Sequence, residues 1–184
     1  KTKNLKKISN IQNKTFELSL LLSIPASFGL ILASEEIVNA LFGYGSFSKD
    51  DVALTAKALK YFGFGVPAFA LVKILSNFYF ARDNTKTPFY ISMFIVILNI
   101  LISVSFFSKI GFIIIPIATS ISTWIGVLIY LYLLNLKKAL LLKNQLIFNF
   151  IKILVSTILM SLALLFALDN YANYLEYFYK YKAL

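Results

Sequence analysis

The chain has 184 residues and a formal charge of +10, and hydrophobic residues make up 59% of it. Soluble domains are about 45 to 50% apolar, so this composition indicates a membrane protein. The chain has no cysteine, which excludes disulfides and thiolate metal sites, and no histidine, the commonest general base, so an enzyme is a poor fit. Because the lysines flank apolar runs and form no single stripe, the charge indicates membrane topology and not nucleic-acid binding.

The apolar residues fall into long runs separated by short polar breaks. A helix needs about 20 apolar residues to cross roughly 30 Å of hydrocarbon, and five runs approach that length. Because residue 1 is Lys and not Met, we expect the chain to be a piece of a longer protein. The pattern predicts an all-α integral membrane protein with an amphipathic, tyrosine-rich tail after five transmembrane helices at about residues 18–34, 49–80, 89–107, 112–136 and 145–168.

Orientation follows from the basic residues. Residues 1–14 contain five lysines and no acid, as expected of a cytoplasmic loop near an anionic leaflet. The second and third loops on the same side are also basic. The amino end of the chain is therefore predicted to be cytoplasmic.

Helix starts are marked by two local patterns. Ser48 with Asp51 three residues later matches a capping box, which predicts the start of the second helix. Pro88 suits the first turn of the third helix, where its missing N–H costs no hydrogen bond.

Two groups of helix-weakening residues lie inside the apolar runs. Pro25 predicts a kink in the first helix, either a static packing feature or a moving hinge. Gly63, Gly65 and Pro67 weaken both helix propensity and the hydrogen-bond ladder of the second helix. We expect a bend or an unwound turn there, and we treat these four residues as candidate hinges.

Lys73 is a charged residue inside the second apolar run. It precedes Arg82, which marks the cytoplasmic interface, by nine residues or about 13.5 Å of helix, so it lies near the middle of the membrane. A charge at that depth costs about 2.5 to 3.5 kcal/mol. We therefore predict that Lys73 faces a wet translocation path, the alternative being a structural lysine bonded to carbonyl groups. Asn77, one turn later, shares its helix face, and Arg82 completes the predicted substrate path.

Polar side chains also occur in the third and fourth helices. Asn99 and Ser103 are one turn apart, and Thr119 begins a run of small hydroxyl residues. Such residues let membrane helices approach closely and bond across the interface, so helix packing is the first interpretation. The alternative is a monovalent-cation site formed by Asn99, Ser103 and Thr119, although no acid supplies the compensating charge. No firm metal site is predicted.

Several short motifs occur in the order and spacing of a known family. The motifs are Ile24-Pro25-Ala26 with Gly29-Leu30, Leu41-Phe42 with Tyr44-Gly45 and Phe47, Val72-Lys73, Phe78-Tyr79 with Arg82, Lys86-Thr87-Pro88, and Ala118-Thr119-Ser120. They span about residues 16–168, and in them the chain resembles the carboxy-terminal lobe of the lipid II flippase family (MurJ/MviN), within the multidrug/oligosaccharidyl-lipid/polysaccharide exporter superfamily.

The resemblance implies a fourteen-helix transporter of the bacterial inner membrane with two lobes, of which this chain is helices nine to thirteen. The whole protein is then expected to move undecaprenyl-diphosphate-linked peptidoglycan precursor from the cytoplasmic to the periplasmic leaflet by alternating access, for cell-wall biosynthesis. Its partners are lipid II, membrane lipids and the amino-terminal lobe. The resemblance implies no cofactor and leaves coupling to the membrane potential or to a monovalent cation open; Ser103 stands where an acid or Asn is expected in the family's cation site.

Two other functions stay open from the residues. One is a related exporter of other lipid-linked oligosaccharides, or of drugs by antiport. A drug exporter is expected to carry an acid in its cavity, and none occurs at membrane depth in this chain, which favours an anionic cargo. The other is a non-transporting membrane scaffold, for which Lys73 would be a costly residue.

Overall fold

The structure is a computed structural model that describes residues 2–137, 139–140 and 143–182, with side chains described for 6–137, 139–140 and 143–170. No β-strand occurs in these ranges, which confirms the predicted all-α class. The helices are α1 (Thr2–Leu32), α2 (Ser34–Phe42), α3 (Lys49–Phe80), α4 (Lys86–Ile110), α5 (Ile114–Leu136) and α6 (Asn144–Lys182), with a 3-10 turn at Gly111–Ile113 between α4 and α5.

Membrane-spanning capacity is concentrated in the five long helices. Four stretches of the described chain are long and apolar enough to cross a membrane. The third of them contains both α4 and α5, which the short 3-10 turn joins and which pack against each other. The stretches are Lys6–Leu32, Lys49–Phe80, Lys86–Leu136 and Asn144–Asn170.

The helix ends differ from the prediction at both ends of the chain. Residues 2–14, predicted as a loop, form the first turns of α1. Residues 169–182, predicted as an interfacial tail, continue α6. Both predictions equated helix length with apolar length, whereas a helix continues past the hydrocarbon where its residues still favour helix and its polar groups reach water or protein. The side chains of residues 171–184 lie outside the described ones.

Helix order in space runs α6, α1, α3, α5, α4, because α3 packs on α1 and α5 while α6 packs on α1 and α4 on α5. Helix α3 is therefore the centre of the bundle. The main core lies along it and contains buried apolar residues of α1, α3, α5 and the outer helices: Phe16, Leu20, Ile24, Ala68, Leu71, Leu75, Tyr79, Ile91, Val127, Tyr130, Leu134 and Ile153.

The predicted start of α3 is confirmed. Ser48 Oγ accepts a hydrogen bond from the Asp51 N–H at 3.2 Å, and an Asp51 carboxylate oxygen accepts one from the Ser48 N–H at 2.9 Å. This reciprocal pair is a complete capping box. It fixes the first turn of the helix that carries Lys73.

The expected unwound turn in α3 is absent: the helix is continuous through Gly63, Gly65 and Pro67. Helix α1 is likewise continuous through Pro25. The glycine-proline segment of α3 therefore contains no unwound turn, and the bend that the sequence predicts there as the other possibility stays a prediction.

Candidate functional site

Lys73 lines an open groove of about 490 Å³ between α3, α4 and α5. Its side chain is exposed, and its Nζ forms no hydrogen bond or ion pair with the described residues. Among the residues with described side chains, no carboxylate lines the groove. The carbonyl-bonded alternative for Lys73 is thus not what this conformation contains. The lining residues are Phe69, Val72, Lys73, Ser76, Phe80, Thr85, Pro88, Phe89, Ser92 and Tyr130.

The groove wall is mostly apolar and carries a few hydroxyl groups. Ser76 donates to the carbonyl oxygen of Lys73 at 2.9 Å, and the Tyr130 hydroxyl lies 3.5 Å from the carbonyl oxygen of Pro88. Ser92 adds an exposed hydroxyl from α4. A cation with hydroxyl neighbours and no counter-ion can receive an anionic oxygen without first breaking an ion pair.

The other two predicted substrate-path residues do not join Lys73. Asn77 is exposed but is not part of the groove lining. Arg82 is not part of the groove lining either, and its guanidinium donates to the carbonyl oxygens of Phe78 at 2.9 Å and Ala139 at 3.0 Å. Arg82 therefore ties the end of α3 to the connection between α5 and α6.

The predicted cation ligands do come together, as a hydrogen-bonded set between α4 and α5. Asn99 Nδ2 donates to Thr119 Oγ1 at 2.7 Å, and Ser103 Oγ lies 3.5 Å from Asn99 Oδ1. Thr119 Oγ1 in turn donates to the carbonyl oxygen of Ile115 at 2.8 Å. No group of three or more acidic, histidine or cysteine ligands occurs among the residues with described positions. The contacts are those of polar packing between membrane helices.

Three side chains from the neighbouring helices bond to carbonyl oxygens in the glycine-proline segment of α3. Ser27 Oγ of α1 donates to Gly63 at 2.7 Å. From α5, Ser120 Oγ donates to Tyr61 at 2.8 Å and Trp124 Nε1 donates to Phe64 at 3.0 Å. We call Ser27, Ser120 and Trp124 the carbonyl clasp.

The sequence analysis did not predict the carbonyl clasp, although the sequence shows which carbonyl oxygen needs a donor. Pro67 has no N–H, so the carbonyl oxygen of Gly63, four residues earlier, lacks a helical donor and needs another one inside a membrane. Nothing in the local sequence identifies Ser27, 36 positions away, as that donor. At Pro25 no comparable bond supports the preceding turn, and the buried Ser23 Oγ has no partner among the described residues.

A second, larger cavity of about 810 Å³ lies on the opposite side of α3, between α1, α3, α5 and α6. Its wall is almost entirely apolar, and the residues of the carbonyl clasp lie along it. A cavity of this size and character suits hydrocarbon rather than a polar headgroup. The bundle thus separates a cationic groove from an apolar cavity.

Comparison with known proteins gives one consistent family. The family model "Lipid II flippase MurJ" matches residues 1–183. The chain is 37% identical over 133 residues to the probable lipid II flippase MurJ of Rickettsia prowazekii, covering 72% of this chain and 26% of that protein. It is 34% identical over 135 residues to the lipid II flippase MurJ of Thermosipho africanus, covering 70% of this chain and 28% of that protein.

A solved structure agrees with these sequence relatives. A lipid II flippase MurJ in an inward closed conformation superposes with a TM-score of 0.79 at 28% identity, covering 90% of this chain and 34% of that one. The chain thus spans only about a quarter to a third of the length of the proteins that it matches.

Proposed function

The chain belongs to the lipid II flippase MurJ family, and from this premise we propose that it is part of the carboxy-terminal lobe of a lipid II flippase. The whole protein moves the undecaprenyl-diphosphate-linked precursor from the cytoplasmic to the periplasmic leaflet of the bacterial inner membrane by alternating access. The amino end of this chain is cytoplasmic in the proposal. The amino-terminal lobe of the same protein closes the Lys73 groove.

The observation that carries this proposal is the unpaired Lys73 in its groove. A diphosphate headgroup cannot cross hydrocarbon unaided, because burial of an unpaired charge is very costly. A membrane-embedded lysine is costly for the same reason and by default indicates a functional site. Lys73 and the hydroxyl groups around it offset the headgroup charge during passage. Asn77 and Arg82, which lie outside the groove, are proposed to meet substrate only near the cytoplasmic entrance.

The apolar cavity on the other side of α3 supports a lipid-linked cargo. Its volume of about 810 Å³ and its nearly uniform apolar wall suit part of a long hydrocarbon chain. A cationic groove and an apolar cavity on opposite sides of one helix match a cargo with a charged head and an apolar tail. An exporter of small drugs needs no such division.

For the driving force we propose the membrane potential, with a monovalent cation as the alternative. The headgroup is anionic and moves from the negative cytoplasmic side to the positive side. Each negative charge then gains about 2.3 kcal/mol per 100 mV. No cofactor is required in this scheme. The candidate hinges at Pro25, Gly63, Gly65 and Pro67 supply the flexibility of the rocking lobes.

The test uses the full-length protein in cells depleted of their own lipid II flippase. Wild type, Lys73→Ala, Lys73→Arg and a matched control, Lys60→Ala, are compared at equal membrane abundance. Lys60 is an exposed lysine of the same helix, outside the groove. Wild type, Lys60→Ala and Lys73→Arg are expected to restore growth and periplasmic exposure of the precursor, whereas Lys73→Ala fails because the groove loses its charge.

Other outcomes contradict the proposal in different ways. If wild type itself does not rescue at good abundance, the cargo is another lipid-linked sugar or a drug, or the protein is a membrane scaffold. If Lys73→Ala rescues as well as Lys60→Ala, the groove lysine is not part of the path. The second result would leave the family assignment intact and remove only the site.

A further inference from the structure

The carbonyl clasp joins α3 to both of its neighbours at its weakest segment. Ser27 comes from α1, on one side of α3, and Ser120 and Trp124 come from α5, on the other. Both serines are buried, at 4% and 6% exposure. Three side-chain donors therefore converge on four consecutive residues of one helix.

The three hydrogen bonds of the clasp differ in what they do. Because Pro67 has no N–H, the bond from Ser27 is what satisfies the carbonyl oxygen of Gly63. The carbonyl oxygens of Tyr61 and Phe64 still have donors four residues later in the continuous helix. The bonds from α5 are thus additional ones, which fix the position of α5 against α3.

The glycines of the segment permit this arrangement by letting the helices touch. A Cβ on Gly63 would lie 2.8 Å from Ile31 Cγ1 of α1. A Cβ on Gly65 would lie 2.7 Å from Ser120 Oγ of α5. Both distances are too short for carbon contacts, so a larger residue would separate the helices and lengthen the clasp bonds. The same residues that weaken α3 make its external support possible.

We propose that Ser27, Ser120 and Trp124 are positioning residues that hold α3 as one continuous helix in this conformation, and that α3 bends at Gly63–Pro67 when the clasp opens. Lys73 lies six residues beyond Pro67, about 9 Å along the helix. A bend at the segment therefore moves Lys73 relative to its groove. Movement of α1 or α5 against α3 during transport breaks clasp bonds and frees the hinge. The transport consequence rests on the proposed function, whereas the clasp itself does not.

Ser27→Ala tests the clasp, and Ser23→Ala is its matched control. Ser23 lies one turn earlier on α1 and is also buried, but its hydroxyl has no partner among the described residues. Amide hydrogen exchange is followed in full-length protein in lipid nanodiscs, over the peptides that contain residues 61–72. Ser27→Ala is expected to exchange about tenfold faster there, equivalent to about 1.4 kcal/mol. Ser23→Ala should match wild type, and Ser27→Thr, which keeps the hydroxyl, should restore slow exchange.

A second readout separates positioning from general stability. The chain has no cysteine, so Lys73→Cys provides a single labelling site within it. Adding Ser27→Ala is expected to change its maleimide labelling rate several-fold, while a Lys57→Cys site on the outer part of α3 labels as before. If Ser27→Ala fails to fold, Trp124→Phe replaces it, since Trp124 is 40% exposed and Phe keeps an aromatic ring while removing the N–H donor.

Two results would overturn the inference. One is equal exchange in Ser27→Ala and Ser23→Ala. The other is unchanged labelling at position 73 when the clasp is removed, which would make the clasp a purely structural contact. Neither result depends on rescue of the depleted strain, and failure of wild type to rescue would leave the exchange contrast unaffected. The clasp and the proposed function therefore fail separately.

Discussion

The contact between Asn99 and Thr119 makes a quantitative prediction that separates helix packing from cation binding. The bond is short, at 2.7 Å, and both residues are only partly buried between α4 and α5. Hydrogen bonds of this kind between membrane helices contribute about 0.6 kcal/mol on average and about 1.7 kcal/mol at most. We expect the coupling energy in a double-mutant cycle of Asn99→Ala and Thr119→Val to lie in that range.

The assay is reversible unfolding of the full-length protein in lipid bicelles, with wild type, both single variants and the double variant. Val has nearly the shape of Thr, so Thr119→Val removes the hydroxyl without opening a cavity. Ser105→Ala serves as a control, because Ser105 is an exposed serine of α4 outside this hydrogen-bonded set. The control is expected to change the free energy of unfolding by less than about 0.5 kcal/mol.

Sodium and potassium titrations complete this test. A cation bound by Asn99 and Thr119 at a hundred times its dissociation constant would stabilise the folded protein by about 2.7 kcal/mol. Packing alone predicts no such dependence, because each of these polar side chains already bonds to protein groups. Stabilisation by either ion that disappears in Thr119→Val, together with a coupling energy near zero, would refute the packing interpretation.

Three further predictions concern single residues. Gly65→Ala should lower the thermal unfolding midpoint and speed exchange in α3, because its new methyl group displaces the hydroxyl of Ser120; an unchanged midpoint would contradict the close approach. Ser48→Ala should cost about 1 kcal/mol in chemical unfolding through loss of the α3 cap, and Ser48→Asp should restore most of it. Tyr79→Phe should leave stability unchanged or raise it by roughly 1 kcal/mol, because its buried hydroxyl has no partner among the described residues, and a clear loss of stability would indicate a missed partner.

In α3, local sequence predicts the start of the helix but not its continuity. Its start could be predicted, because the capping box of Ser48 and Asp51 involves residues three positions apart. Its continuity through Pro67 could not, because the missing donor comes from Ser27 in another helix. A sequence shows which hydrogen bond a proline removes, but only packing shows what replaces it.

The candidate site shows the same difference between features of one helix and contacts between distant residues. Lys73 could be chosen from its depth in an apolar run, which is a property of one helix. Its grouping with Asn77 and Arg82 assumed that residues close in sequence serve one path. In the structure Arg82 instead bonds to Ala139, 57 positions away, and it lies outside the groove.

The sequence by itself therefore determined the membrane class, the five long helices and the presence of a lysine inside an apolar run. These follow from composition, run length and periodicity, which act within single helices. Only the tertiary structure decided the order of helices around α3, the clasp on its proline segment and the separation of a cationic groove from an apolar cavity. Those features depend on contacts between residues tens of positions apart, and the free energy of such contacts is not encoded in any one segment.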